Sequence, residues 1–221
     1  MGDFNHTISK YRSIWWMMRN NVNNRPNAPA DIHSPETPVS PELWTIGHST
    51  RPIEEFVGLL QSHGIQVLVD VRTIPFSRRN PQFHRETLAQ SLREAGLQYR
   101  HMPELGGRRK TRAGSLNAGW RNEGFRGYAD YMQTQEFWDG LEELVNIGQQ
   151  SSSAVMCAEA VPWRCHRTLI ADALVIRGWT VHHIISASSL KTHTLTPFAK
   201  PDAGRLTYPA ESSSDLNLRL F

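Results

Sequence analysis

The chain has only two cysteines in 221 residues, Cys157 and Cys165. So few cysteines exclude the disulfide framework of a small secreted domain, and we interpret both as reduced thiols. The chain also lacks any run of the roughly 18 apolar residues that a membrane-spanning helix needs. Its N-terminal apolar run, 14–18, is shorter than the core of a signal peptide. These absences predict a cytoplasmic protein with no membrane partner.

The charge is also slight, with a formal net value of +3. This small excess argues against a protein that binds nucleic acid over its whole surface. The basic residues are nevertheless concentrated in two segments, 72–85 and 108–112. Each is either a solvated surface or part of a local anion-binding face. The patterns G-x-G-x-x-G and G-x-x-x-x-G-K-[S/T] are absent, so a classical dinucleotide site or P-loop is unsupported.

Short apolar runs alternate along the chain with segments of helical spacing. The runs predict strands near 43–47, 66–72, 97–102, 154–158 and 180–185, and the spacing predicts helices near 52–63, 87–95, 125–132, 134–147 and 163–177. Near-continuous apolar strands are typical of a parallel sheet covered on both faces. The alternation therefore predicts an α/β fold: a single three-layer domain with a mostly parallel, about five-stranded sheet and helices on both faces. Gly64, Gly96 and Gly148 are predicted to end three of the helices.

The two ends of the chain differ in composition from its middle. Residues 1–41 are rich in Asn, Pro and Ser near the domain and predict a disordered extension. Residues 42–186 form the predicted domain, and 187–221, rich in Ser, Thr and Pro, predict a poorly ordered tail. The basic segment 108–122 has no periodicity and predicts a long surface loop, either a functional lid or an insertion.

The richest concentration of reactive side chains lies in 154–167, a predicted strand, tight loop and helix. Ligands of open α/β sheets bind beyond the carboxyl ends of the strands, where this loop lies. Cys165 comes at the start of the helix, next to His166 and Arg167, and both a helix N-terminus and nearby cations lower the pKa of a thiol. This favours a nucleophile or a metal ligand. The alternative, a small buried residue, is stronger for Cys157 inside the strand.

Two carboxylates follow predicted strands. Asp70 ends the second strand and Glu159 follows the fourth. If those strands are neighbours, both carboxylates face one crevice, where they could transfer protons or hold a sugar hydroxyl. The structural alternatives are an ion pair of Asp70 with Arg72 or Arg78, and a helix cap for Glu159.

Several side chains are suited to holding an anion at the same edge. The guanidinium groups of Arg72, Arg78 and Arg167 match phosphate or carboxylate geometry. Ser77 and His48 are further candidates, at a loop and at the end of the first strand.

A metal site is the rival interpretation of the cysteine motif. Cys157, Cys165 and His166 could supply three ligands, with His48 or His101 as the fourth, and zinc would then be the cofactor. The spacing does not match a Cys-x-x-Cys knuckle.

These motifs together resemble one family, the bacterial domain of unknown function DUF488. The matching pieces are Thr45–Ser49, Asp70–Arg72 with Pro75 and Ser77-Arg78, Leu105–Gly107, Phe125 with Gly127–Tyr131, Cys157–Glu159, Pro162, Cys165–Arg167, and Val181 with His183-Ile184. Their order and approximate spacing agree over about 43–186. The resemblance implies a compact α/β domain and supplies no reaction.

The leading hypothesis is an enzyme, a hydrolase or transferase acting on an anionic substrate such as a nucleotide or nucleic-acid component. Cys165, Glu159, Asp70 and His166 would be its catalytic residues. The alternatives are a non-catalytic nucleotide or nucleic-acid-binding module that uses 108–112, and a metal-binding or redox-sensing protein that uses the cysteine pair.

Overall fold

The sequence folds into five α-helices and eight strands in the part of the chain that the computed structural model describes, residues 40–210. The strands are β1 (Glu42–Gly47), β2 (Val67–Asp70), β3 (Gln98–His101), β4 (Ser153–Cys157), β5 (Thr180–Ser186), β6 (Ser189–Thr192), β7 (Lys200–Asp202) and β8 (Arg205–Thr207). The helices are α1 (Ile53–Ser62), α2 (Arg85–Glu94), α3 (Glu123–Tyr131), α4 (Gln135–Gln150) and α5 (Arg167–Val175).

Six of the strands form one sheet in the order β3-β2-β4-β1-β5-β6. The first five are parallel and β6 runs antiparallel to β5. The predicted mostly parallel α/β fold is therefore confirmed, with one strand more than expected. Because β4 lies between β1 and β2, the carboxyl ends of these three strands meet at one edge.

Helices cover both faces of the sheet because the buried strands are apolar on both sides. Helices α1 and α2 pack one face through residues such as Phe56, Leu60 and Leu88. Helices α3, α4 and α5 pack the other face through residues such as Phe137 and Ile170. The result is the predicted three-layer arrangement.

The prediction of a poorly ordered tail from 187 is wrong for 187–210. After β6, the β7–β8 hairpin and its flanks return to the core on the α3–α5 face, where Leu206 and Tyr208 are fully buried. The apolar residues of this segment are too widely spaced to show a period, so its polar composition dominated the prediction. The predicted N-terminal extension lies almost wholly outside the described residues.

One predicted helix end is also wrong. Gly148 lies inside α4, which continues to Gln150. A Cβ at this position would come 3.0 Å from the Trp179 ring, so the glycine allows the helix to pack closely against that ring. Gly64 and Gly96, by contrast, follow α1 and α2 with positive φ angles, as predicted for helix ends.

The basic segment 108–122 has no regular secondary structure, yet it is anchored. Asp130 of α3 accepts hydrogen bonds from the Arg112 backbone, the Ser115 hydroxyl and the Asn117 amide. Asn117 is fully buried and accepts from the backbone of Tyr208. These contacts fix the loop beside the carboxyl edge of the sheet. Within residues 40–210, no helix is both long and apolar enough to cross a membrane.

Candidate functional site

A cleft of about 810 Å³ opens at the carboxyl ends of β1, β2 and β4. Cys157, Cys165 and His166, which we call the thiol cluster, line it from within. Arg79, Arg108 and Arg164 line it as well, and all three are exposed. The cleft therefore combines thiols with an excess of positive charge.

Gly47 allows the β4–α5 loop to close over the end of β1. A Cβ on Gly47 would fall 1.8 Å from the carbonyl oxygen of Glu159, which no other residue could tolerate. The loop is tied down by backbone hydrogen bonds from His48 to Cys157 (3.0 Å) and from Ser49 to Ala158 (2.9 Å). Because of this close approach, the chain that leaves the end of β4 can cross directly over the end of β1.

The two thiols lie next to one imidazole. The His166 Nδ1 atom is 3.6 Å from the Cys165 sulfur and 3.9 Å from the Cys157 sulfur. Both cysteines are almost completely buried. Gly107 makes room for the imidazole, since a Cβ there would come within 2.3 Å of Nδ1.

Arg167 brings a cation to the buried side of Cys165. Its side chain is 1% exposed, and its Nε donates to the Cys165 sulfur at 3.5 Å. Its Nη2 donates to the Glu159 carbonyl at 2.6 Å, and its Nη1 to the Thr45 hydroxyl at 3.4 Å. None of the ion pairs formed within residues 40–210 involves Arg167. Because a buried cation needs a counter-charge, the neighbouring sulfur is the group that can supply it as a thiolate.

The surroundings drive the pKa values of the two thiols apart. Burial raises the pKa of Cys165, but this is outweighed by its hydrogen bond with Cys157 and the charges of His166 and Arg167, which together hold it well below the ordinary value. The hydrogen bond to Cys165 and burial raise the pKa of Cys157 well above the ordinary value. One proton shared by two sulfurs accounts for both directions, with Cys157 as the thiol and Cys165 as the thiolate.

Asp70 is held in a buried ion pair on the α1–α2 side of the sheet edge. Its carboxylate accepts hydrogen bonds from the Arg72 guanidinium, at 2.6 Å for the closest pair, and from the Tyr99 hydroxyl at 2.7 Å. Burial and the Asp70 carboxylate raise the pKa of Tyr99, so this hydroxyl keeps its proton. Asp70 is fully buried and Glu159 is exposed. Although β2 and β4 are neighbours, Glu159 lines the cleft and Asp70 does not.

His48 lies in the cleft as a neutral imidazole. Its Nδ1 donates to the Ser49 carbonyl at 2.8 Å, which leaves Nε2 to accept from Arg72 at 3.2 Å. Burial and the Arg72 charge lower the pKa of His48 to about 4. Its ring stacks on Phe83 with centroids 4.2 Å apart. His48 therefore fixes the Arg72 guanidinium at the edge of the cleft.

Of the predicted anion-binding residues, Ser77, Arg72 and His48 line the cleft, whereas Arg78 and Arg167 do not. Ser77 lines the cleft, with its hydroxyl accepting from the Asn80 backbone at 3.1 Å. Arg72 lines it too, although most of its donors are used by Asp70 and Phe83. Arg78 is exposed and outside the cleft lining, and Arg79 takes the place expected for it. Arg167 lies behind the thiol cluster and does not line the cleft.

Arg79, Arg108 and Phe76 are among the cleft residues that were not selected from the sequence as site residues. Arg79 and Arg108 stood within the basic clusters, but nothing local distinguishes them from their neighbours. Phe76 is 59% exposed and lines the cleft mouth, stacked on His84 with centroids 4.3 Å apart. A large apolar side chain in a Pro- and Arg-rich loop is the only signal that could have indicated it.

A family model covers the part of the chain that contains most of the cleft residues. The model of the family described as "Domain of unknown function DUF488" matches residues 52–174, more than half of the chain. The chain belongs to the DUF488 family. The DUF488 match contains the whole thiol cluster, and it leaves β1 and the segment after α5 outside. No curated protein and no solved structure matches the chain.

The thiol cluster also has the donor types of a metal site. Its three ligand atoms lie within 4.8 Å of one another, and two sulfurs with one imidazole nitrogen suit zinc. Neither expected fourth ligand is free, because His48 Nε2 faces Arg72 and His101 Nε2 contacts the Arg72 carbonyl at 2.9 Å. The described residues thus bring together three protein ligands for a metal, without the fourth that a closed structural site needs.

Proposed function

We propose that this DUF488 protein is a cysteine-dependent hydrolase or transferase whose substrate is an anion, a nucleotide or nucleic-acid component. The observation that carries the proposal is the contact between Cys165 and the buried Arg167, which has no carboxylate partner among the described residues. A thiolate held by a buried cation at a cleft is the arrangement of a nucleophile.

In the proposed reaction, the Cys165 sulfur forms a bond to the electrophilic atom of the substrate. The bond between that atom and the leaving group breaks, and its electron pair departs with the leaving group. Glu159, exposed at the cleft, exchanges the proton that the leaving group and the second nucleophile require. Water or an acceptor molecule then displaces the sulfur, which leaves as the thiolate. Cys157 keeps its proton throughout and stabilises the thiolate by a hydrogen bond.

The charge of the cleft and its aromatic rim support this substrate class. Arg79, Arg108 and Arg164 provide cations for phosphate oxygens, and guanidinium groups bind phosphate in a bidentate manner. Phe76 offers an exposed aromatic face on which a base could stack. Asp70 has the role of fixing Arg72 rather than of transferring protons, because Arg72 and Tyr99 occupy its carboxylate oxygens.

The proposal predicts that anions protect Cys165. The native protein is treated with iodoacetamide in the presence of phosphate, pyrophosphate or nucleoside monophosphates, and mass spectrometry follows Cys165 and Cys157 separately. Nucleotides should slow the labelling of Cys165, and Arg79→Ala or Arg164→Ala should weaken that protection by about tenfold, since one charge-assisted phosphate contact is worth roughly 1.5–3 kcal/mol.

Arg78→Ala is the matched control, because Arg78 is exposed in the same loop but does not line the cleft. Its protection should equal that of the unmodified protein. Labelling that no anion slows, or protection that Arg78→Ala weakens as much as Arg79→Ala, would contradict the proposed anion site.

Zinc binding by the thiol cluster is the second candidate, favoured by the donor set alone. In that case the three protein ligands leave one position for a substrate or water, as in catalytic zinc sites. Metal analysis of the purified protein, with labelling before and after chelation, separates the two candidates. Labelling of Cys165 that appears only after chelation supports zinc.

The nucleic-acid-binding module remains a weaker proposal. It relied on the basic loop 108–112, where Arg109 is engaged within the fold. The Arg109 side chain donates to the carbonyls of Gly106 and Glu104, and its guanidinium lies 3.5 Å from the Tyr131 ring centroid. Arg108 lines the cleft and Arg109 does not. Loss of nucleic-acid binding on removal of Arg109 would therefore reflect damage to the fold rather than loss of a direct contact. The cytoplasmic location likewise remains a prediction.

A further inference from the structure

A continuous line of buried polar groups leads away from Cys165 on the side opposite the cleft. Arg167 Nη1 is 3.4 Å from Thr45 Oγ1, and Thr45 Oγ1 is 2.7 Å from His183 Nδ1. His183 Nε2 is 3.1 Å from His193 Nδ1, whose Nε2 is in turn 2.8 Å from an Asp172 carboxylate oxygen. The line joins four separate elements, β1, β5, α5 and the segment after β6.

The line is removed from water along its whole length. Thr45, His183 and Asp172 are buried, and the His193 side chain is 6% exposed. Asp172 also accepts from the Thr196 backbone and the Tyr208 hydroxyl, both at 2.9 Å. A carboxylate that is fully buried and held by three donors is a fixed end to the line.

The donors and acceptors of the line are all matched when each imidazole donates from its Nε2 and accepts at its Nδ1. Arg167 donates to the Thr45 oxygen, and the Thr45 hydroxyl donates to His183 Nδ1. His183 then donates from Nε2 to His193 Nδ1, and His193 donates from Nε2 to Asp172. Burial and the neighbouring His193 and Arg167 lower the pKa of His183 to about 3, which agrees with a neutral ring.

We propose that Asp172, His193 and His183 are positioning residues that act through Thr45 to hold the Arg167 guanidinium against Cys165. The inference rests on the proposed function, because its consequence is the thiolate state of Cys165. None of these groups touches the cleft, so none is a catalytic residue. Their role is to fix the plane of the guanidinium, whose three nitrogens face three different acceptors.

The C-terminal segment is thereby part of the site. His193, Thr196 and Tyr208 follow α5, beyond the residues that the DUF488 model matches. Because this segment returns to the core, His193 can accept from His183, and Thr196 and Tyr208 can donate to Asp172. A chain that lacked it would keep the thiol cluster but leave Arg167 without a fixed orientation.

Two matched pairs of variants of the full chain test the inference. Thr45→Val removes the hydroxyl at nearly constant volume, and Thr45→Ser keeps it. His193→Leu breaks the line, whereas His193→Gln retains a donor and an acceptor on one side chain. The readout is the second-order rate of Cys165 labelling by iodoacetamide as a function of pH, from about pH 4 to about pH 9.5, which gives the thiol pKa. Urea unfolding verifies the fold.

We expect the pH profile of Cys165 labelling to move up by about one pH unit in Thr45→Val and His193→Leu, so that at pH values below the Cys165 pKa these variants label about tenfold more slowly than the unmodified protein. Near pH 9.5 the rates should converge. Thr45→Ser and His193→Gln should restore most of the rate. If folded Thr45→Val and His193→Leu show the same labelling profile across pH as the unmodified protein, the inference is overturned, even if their stability is lower.

The outcome for the unmodified protein separates the two proposals. Fast labelling of its Cys165 near pH 7, with no change in the four variants, leaves the proposed nucleophile intact and removes the positioning line. Slow labelling of Cys165 in the unmodified protein, rising only as for an ordinary thiol, defeats the proposed function itself.

Discussion

At the scale of single residues, two arginines with similar burial have different roles. Arg72 is paired with the Asp70 carboxylate, whereas Arg167 lies between a sulfur, a hydroxyl and a carbonyl oxygen. The first pair is neutral by itself and stabilises the fold. The second cation is balanced only if Cys165 is ionised, and it therefore favours a reactive thiolate.

Arg72→Met should destabilise the protein strongly, because it leaves the fully buried Asp70 without its partner. Breaking a buried pair by removing one member costs roughly 3–5 kcal/mol. Arg78→Met, at an exposed neighbouring position, should change the free energy of unfolding by less than about 0.5 kcal/mol. Urea unfolding measures both, and equal stability of the two variants would show that the Asp70–Arg72 pair contributes little.

The sequence identified the residue types of the site better than their roles. Cys165, His166 and Arg167 are adjacent in the chain, so their proximity was predictable from one strand–loop–helix motif. The pairing of Asp70 with Arg72, weighed as an alternative, depends only on a separation of two residues. The neighbours of Arg167 were not predictable, because Thr45 is more than a hundred positions away and reaches it through the strand order.

At the scale of elements, the helices and strands were predicted where apolar spacing is regular. Helix α1 buries Phe56, Leu59 and Leu60, and β2 is buried throughout. The errors arise where tertiary packing overrides a local signal. Gly148 is a typical helix end by composition, but Trp179 and Leu43 pack against it and the helix continues.

Two helical glycines should respond differently to alanine. Gly58 is exposed in α1 and a Cβ there meets nothing, so Gly58→Ala should stabilise the protein by about 0.5–1 kcal/mol. At Gly148 the same gain in helix propensity is opposed by displacement of the Trp179 ring. Thermal unfolding of the two variants should rank Gly58→Ala above Gly148→Ala, and the reverse order would contradict the packing described for α4.

At the scale of the whole molecule, the DUF488 match ends before the chain has completed its core. Beyond α5 come β5, β6 and the β7–β8 hairpin, and Leu206 and Tyr208 are buried in the same cluster as Leu169 and Tyr128. The parallel sheet was predictable from the alternation of elements. The C-terminal return was not, because isolated apolar residues in a polar segment acquire meaning only when the core they enter is known.

A chain that ends at residue 186 should therefore be far less stable than one that ends at residue 210. The shorter chain loses the buried Leu206 and Tyr208 and the hydroxyl on Asp172. Each large buried side chain removed costs roughly 2–5 kcal/mol, a large part of the stability of a typical domain. Calorimetry of both chains measures the difference. A cooperative transition at the same temperature in both would contradict the structural role of this segment.

The central claim of the account is that Cys165 is a thiolate in the folded protein at neutral pH. Its most direct test is alkylation of the native, unmodified protein across pH, with mass spectrometry resolving Cys165 from Cys157 and with metal analysis of the same sample. The account predicts metal-independent labelling of Cys165 that is already fast near pH 7, while Cys157 reacts slowly because its pKa is raised. Labelling of neither cysteine until the protein unfolds, or of Cys165 only after chelation, would contradict it.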